Sequence, residues 1–221
     1  MDSALIVAHG TRSGDNSFVE SHAAALSSIS GLPVRCAYRR YSMEKVRPAM
    51  ESLADEGYRD IAILPFFMYD NVYVRSTPKT FGILDGSPSG IYVRNGAEVR
   101  YRMSEPFGVC HEAWEMVAGM LEDADDRILL IQKEPLGEGE NPAVAGCRRL
   151  LESRGYEVSV CTDKDPQEDV DAIVGDGTGW TAVPMMIGSS TRLELKCTVL
   201  QPIGRAPGVA GAMSEILSRL R

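Results

Sequence analysis

Three histidines, His9, His22 and His111, are the side chains in these 221 residues best suited to move a proton or hold a metal near neutral pH. His9 closes the apolar run Ala4–Ala8 and is followed by Gly10-Thr11-Arg12. A histidine there stands at the end of a buried strand, where it can ligate a metal or act as a base. A histidine bonded into a loop is the plainer alternative. His111 follows Cys110 at the expected start of a helix and reads as a cap-region or surface residue, with a second site role as the alternative. His22 lies mid-helix beside Ala23 and Ala24 and reads as structural.

A second group runs from Pro65 through Phe66, Phe67, Met68, Tyr69, Asp70, Asn71 and Tyr73 to Arg75. Proline is rare inside a central strand, so Pro65 marks special geometry where the chain leaves the sheet. The aromatic and Met side chains beyond it form an apolar platform for a flat ligand, with Asp70, Asn71, Tyr73 and Arg75 as its polar margin. Core packing plus a turn accounts for Phe66 and Phe67 equally well, but less well for Met68 and Tyr73. Arg12, Arg39, Arg40, Arg75, Arg94, Arg100 and Arg102, with Lys79, fall in or near predicted loops of the same half. If they converge they form a rim for carboxylates, because guanidinium forks pair with carboxylates bidentately. A scattered solvated face is the other reading.

Other features carry less chemistry. The five cysteines are odd in number and lack CxxC spacing, which points to buried reduced thiols in a cytoplasmic protein and away from a zinc site. Gly175-Asp176-Gly177-Thr178-Gly179 precedes a strand instead of a helix, so it is a turn and not a dinucleotide loop. Leu136–Glu140 carries acids that would repel phosphate, and is also a turn. Formal charge is −8, with 14 acids and 12 bases before residue 119 and 17 and 11 after it. A nucleic-acid partner is therefore disfavoured, and an anionic ligand suits the first half better. No apolar run approaches the roughly 20 residues that span a bilayer, and the start lacks the basic flank of a signal peptide.

The elements that must position these residues alternate. Strands are predicted at Ala4–Ala8, Val34–Tyr38, Asp60–Phe67 and Glu98–Arg102. Helices follow Ser17 (with Glu20 as a capping box), Ser42 and His111, and Gly57 stops the second. Tyr69–Pro78 reads as a polar loop. Glu122–Asp126, four acids in five residues, reads as a solvated connector between domains 1–121 and 127–221. Beyond it, strands are expected at Arg127–Ile131, Tyr156–Cys161, Asp169–Val174 and Thr181–Ile187, with helices from Asn141-Pro142 and over Val209–Leu220. Four landmarks recur in order: Leu5-Ile6-Val7 with Leu129-Leu130-Ile131, Asn16 with Asn141, Ile63–Phe67 with Ala182–Met186, and Pro106-Phe107-Gly108 with Pro202-Ile203-Gly204. They indicate a duplication. The fold class is α/β: two similar lobes of parallel sheet flanked by helices, with a ligand cleft between them.

Leu5-Ile6-Val7-Ala8-His9-Gly10-Thr11-Arg12 resembles the opening "strand–His-Gly-Ser-Arg" of the sirohydrochlorin cobaltochelatase family, among the class II tetrapyrrole chelatases. Ile61–Met68 resembles that family's apolar strand ending in proline and aromatics, and Pro106-Phe107-Gly108 its "Pro-Leu-Gly" turn. The likeness covers residues 3–118 and reaches the remainder only through the repeat. It implies a two-lobed chelatase fold and ATP-independent insertion of Co²⁺, Ni²⁺ or Fe²⁺ into a polycarboxylate tetrapyrrole such as sirohydrochlorin. The metal is a substrate, and no organic cofactor is implied. His9 falls on the family's first metal-site histidine. Tyr73 stands in place of the second, within Asn71-Val72-Tyr73-Val74. Arg39 and Arg40 occupy the region of the family's acid after the second strand, and in the second half Lys133 takes the place of His9 and Arg192 that of Tyr73.

The expectations are therefore His9 and Tyr73 as catalytic and metal-binding residues, and Arg12, Arg39, Arg40, Phe67, Met68 and Arg75 as substrate-binding residues. Assistance from His111 or Glu105 is left open. The partner is a tetrapyrrole, with no nucleic acid and no membrane, and homo-oligomer formation is left open. Two alternatives stand beside this reading: a non-catalytic tetrapyrrole- or metal-binding protein that keeps the fold, and an unrelated α/β enzyme using His9 as a base.

Overall fold

The computed structural model describes the chain except for residues 11–14, 40–45, 84, 134–139 and 189–190. The chain divides into two compact units, Met1–Phe107 with Ala210–Arg221, and Gly108–Val209.

In the first unit β1 (Ser3–Ala8), with all six residues buried, is the hub of the sheet. Such a strand needs cover on both faces, hence its parallel neighbours β2 (Val34–Tyr38) and β3 (Asp60–Phe66) and the helices α1 (Ser17–Ser30) and α2 (Val46–Asp55). β4 (Ser89–Arg94) and β5 (Ala97–Met103) complete the order β2-β1-β3-β5-β4, β4 alone running antiparallel. Leu5, Val7, Ile61 and Ile63 pack on Val46, Met50 and Leu53 of α2, the residues its periodicity marks as inward. Pro65 sits in a central strand without loss. Its missing N–H faces β5, whose pairing with β3 has already ended at Ile63–Met103.

Several expected details differ. α1 has Asn16 at its N-cap position, and Asp15 takes the Ser17 N–H at 3.1 Å, so Ser17 and Glu20 form no capping box. Ser42 lies outside the described residues. The Tyr69–Pro78 segment is not a plain loop: it holds the short helix α3 (Val72–Ser76). β4 was not expected, although Asn95-Gly96, with φ of 51° and 78°, is the tight hairpin turn that joins it to β5.

The second unit repeats the plan. β6 (Arg127–Gln132), β7 (Glu157–Thr162), β8 (Trp180–Pro184) and β9 (Thr198–Val199) lie in the order β7-β6-β8-β9, all parallel. The helices α4 (His111–Met120), α5 (Pro142–Ser153) and α6 (Gln167–Val174) belong with it. The strand expected at Asp169–Val174 is α6. Val170 and Val174, one helical turn apart, are its buried residues, and Glu168 and Asp169 lie in its first turn.

The division differs from the one expected at the acidic connector, because two helices are exchanged. α4 belongs to the second unit, where Trp114 packs on Gly146 of α5 so closely that an added Cβ would lie 2.0 Å from the indole. Arg154 also bonds Glu115 of α4, and Tyr156 donates to the Leu121 carbonyl at 3.0 Å. The C-terminal helix α7 (Val209–Arg219) instead runs on into the first unit, where Arg102 donates to the Arg221 carbonyl at 3.0 Å.

Candidate active site

In the first unit β1, β2 and β3 all end at the same edge, the carboxyl edge where ligands of open α/β sheets bind. Three rings meet there. His9 leaves β1 and Phe67 leaves β3, and their ring centres lie 5.9 Å apart at 88°. Tyr73 on α3 lies 4.8 Å from His9 at 71° and stacks on Phe67 at 6.4 Å. The sequence separates His9 from Tyr73 by two strands, two helices and their loops, so this contact is a product of the fold.

Local chemistry holds each ring. Alternation along β3 sends Phe66 to the α1 side, edge-on to His22 at 6.0 Å and to Phe107 at 5.2 Å, and Phe67 to the α2 side. Phe67 is 5% exposed, so it backs His9 and Tyr73 more than it faces a ligand. Asn71 caps α3 through Oδ1, which accepts from the Tyr73 N–H at 2.8 Å and the Val74 N–H at 3.2 Å. The Tyr73 carbonyl accepts from Thr77 Oγ1 at 2.8 Å and Ser76 Oγ at 3.3 Å. Tyr73 thus has a fixed backbone and a half-buried ring.

Arg39, the residue after β2, donates its backbone N–H to the Ala8 carbonyl at 3.0 Å, next to His9. Its Nη2 donates to Ser76 Oγ at 2.6 Å. Burial pushes the guanidinium below the usual arginine range, and Tyr73 is near enough to act on its charge in the opposite sense. Arg75 is exposed and pairs with Asp70 at 3.7 Å, a surface contact of little strength. Met68 is half-buried. Arg12 and Arg40 lie outside the described residues.

Among the described residues the wider arginine rim does not assemble. Arg100 and Arg102 pair with Asp60 at the opposite, amino end of β3, at 4.0 and 2.6 Å, and Arg94 pairs with Asp55 at 2.9 Å. Glu105 is exposed. His111 belongs to the second unit, exposed at the start of α4 and 3.6 Å from Glu115. A cavity of about 840 Å³ lies against β2, lined by Asn16, Glu20, Tyr38 and neighbours, and none of His9, Phe67 and Tyr73 lines it. The cysteines are free thiols. Burial pushes Cys147 and Cys161 up to about 12, which suits neither a nucleophile nor a metal ligand. No group of three or more His, Cys, Asp or Glu able to hold a metal occurs among the described residues.

Residues 3–124, more than half of the chain, match the CbiX family. The chain belongs to the CbiX family. Among curated proteins none matches the sequence. Solved structures agree on the fold. SirB from Bacillus subtilis with Fe3+ superposes at a TM-score of 0.74 with 17% identity, over 99% of this chain and 95% of that one. CbiX, described as the terminal enzyme for biosynthesis of siroheme in denitrifying bacteria, superposes at 0.63 with 18% identity, over 99% of each chain. DR2241 from Deinococcus radiodurans, a multi-domain protein with structural similarity to chelatases, superposes at 0.78 with 19% identity over 100% of this chain. This chain spans about half the length of that protein, 55%.

Within this CbiX-family chain the two sheets allow a register comparison. Val7 pairs with Pro65 as Ile131 pairs with Pro184, so the prolines are equivalent, and Lys133 falls in the position of His9. Asp163 donates its N–H to the Gln132 carbonyl as Arg39 does to that of Ala8, so Asp163 is the counterpart of Arg39. Lys133 and Asp163 form an ion pair. The second unit thus fills this place with opposite charges, whereas the described residues of the first present an imidazole, a phenol and a guanidinium.

Proposed function

We propose that this chain inserts Co²⁺, Ni²⁺ or Fe²⁺ into a polycarboxylate tetrapyrrole such as sirohydrochlorin, without ATP. The observation that carries the reading is the contact of His9 with Tyr73 at the carboxyl edge of the sheet, in a chain of the CbiX family. Metallation requires two pyrrole N–H protons to leave while the metal sheds water. His9 serves one of these needs as metal ligand or proton acceptor. Tyr73 stands beside it as an oxygen donor, a weaker ligand for these metals than imidazole. Arg39 and Arg75, with Arg12 and Arg40, pair with the carboxylates of the macrocycle, and Met68 and the edge of Phe67 offer apolar contact.

The test is the rate of metal uptake by sirohydrochlorin, followed by absorbance with each metal in turn. No acceleration over the spontaneous rate sinks the enzyme reading. Tyr73 in place of a second histidine favours one alternative, a tetrapyrrole-binding protein without turnover. Tight sirohydrochlorin binding with no metallation selects it. The protein acts in the cytoplasm on either reading, and no helix among the described residues is long and apolar enough to cross a membrane.

A further inference from the structure

We propose that Arg39 imposes an order on the site: the polyanionic macrocycle binds first, and the free metal ion is held off until ligand carboxylates neutralise the guanidinium. The inference rests on the tetrapyrrole reading above and concerns how the same site is filled.

The charge pattern leads there. Arg39 is half-buried and tethered at both ends, by its backbone N–H to Ala8 and by Nη2 to Ser76. Among the described residues it has no ion-pair partner, and its buried Nε has no acceptor. Asp70, just before α3, is already engaged by Arg75. His9 and Tyr73 bring donor atoms but no compensating charge. The counterpart in the second unit shows the contrast, because Asp163 there is matched by Lys133. Among its described residues the first unit keeps a half-buried, unmatched cation at the end of the strand beside the one that leads to His9.

Among the described residues, a free divalent ion arriving at His9 meets one imidazole, one phenol and a like charge, a poor set for Co²⁺ or Ni²⁺. A polycarboxylate macrocycle meets the opposite situation. Among the described residues nothing neutralises the Arg39 guanidinium, and a carboxylate that pairs with it removes the repulsion while the ring supplies four nitrogen ligands. The macrocycle completes the metal site, so the metal comes second.

The test measures Co²⁺ binding to tetrapyrrole-free protein by calorimetry, and sirohydrochlorin binding without metal by absorbance, for wild type, Arg39→Met, Arg39→Lys and the Arg39→Met/His9→Ala double variant. Wild type should bind Co²⁺ more weakly than about 1 mM. Arg39→Met should bind it at least tenfold more tightly, a gain lost in the double variant, and should bind sirohydrochlorin at least tenfold more weakly. Arg39→Lys, which keeps the charge but not the fork, should stay as poor as wild type for Co²⁺ and lose part of the sirohydrochlorin affinity. Micromolar Co²⁺ binding by wild type, or no gain in a folded Arg39→Met, overturns the inference while leaving the proposed function standing. Absence of sirohydrochlorin binding by wild type removes the proposed function itself. If Arg39→Met fails to fold, initial rates on wild type decide: ordered kinetics with the macrocycle leading support the inference, and random or metal-first kinetics overturn it.

Discussion

Replacing Tyr73 with histidine should convert a one-imidazole site into a two-imidazole site. An imidazole nitrogen lies about 1.2 Å from its ring centre and about 2.1 Å from a bound first-row ion, so two rings sharing one ion at square to tetrahedral angles stand about 4.7–5.4 Å apart. The His9 and Tyr73 ring centres are 4.8 Å apart, within that span. The substitution leaves the entry to α3 intact, because Asn71 caps the backbone N–H of residue 73 and not its side chain. A second imidazole should raise metal affinity and the rate of cobalt insertion at subsaturating metal at least tenfold, about 1.4 kcal/mol. His9→Ala removes the only imidazole there and should slow insertion by about 10²–10⁴-fold, the usual worth of a positioned base. Both are read from initial rates of Co²⁺ insertion into sirohydrochlorin, with thermal unfolding as the control for fold. A normally melting His9→Ala with the wild-type rate would refute the placement of chemistry at His9. A normally melting Tyr73→His that binds cobalt no better than wild type would refute the two-ring geometry.

Two further outcomes follow from packing and charge. Gly204 lies where an added Cβ would sit 2.2 Å from the Ile187 carbonyl oxygen and 2.4 Å from its Cα, while its own N–H donates to the Met186 carbonyl at 3.0 Å. Gly204→Ala should therefore cost about 2–4 kcal/mol in chemical denaturation, since backbone cannot yield as a side-chain tip would, and a cost below 0.5 kcal/mol would contradict that packing. Burial by itself would raise the Asp60 carboxyl, but Arg102 and the N-terminal ammonium hold it below the usual carboxylate range. Its stabilising contribution is thus complete above the unfolded value of about 3.9 and fades as pH falls through the lower folded value. The melting-temperature gap between wild type and Asp60→Asn should be constant from neutral pH to about 5 and close below about 4. A gap that persists unchanged into acid would rule this out.

Sequence patterning was enough for most elements, because burial on both faces of a strand or one face of a helix leaves a periodic record. Ala4–Ala8, Asp60–Phe67, Asn141-Pro142 and Val209–Leu220 were legible in this way. The repeat was legible too, and equal strand order around β1 and β6 agrees with it. α6 was misread as a strand because Val170, Ile173 and Val174 in so short a stretch satisfy either period, and the acids of its first turn were the missed signal. β4 was missed although Asn95-Gly96 marks its turn, because Gly90 and Ser89 dilute its alternation.

His9 was identifiable from its place after an apolar run, since chain position alone puts a residue at a strand's end. Its partners were not. Whether Arg39 or Arg102 reaches that edge depends on register, because both lie at the carboxyl ends of their own strands but the end of β5 pairs with the start of β3. Both follow apolar or alternating runs, yet Arg39 lies at the carboxyl edge beside Ser76 and Arg102 at the amino edge on Asp60. The exchange of α4 and α7 between units was equally invisible, because an amphipathic helix records that it buries one face but not whose surface covers it. Local sequence determines which atoms each segment must hide. Only the assembled sheet, by setting strand order and direction, decides which distant side chains then meet.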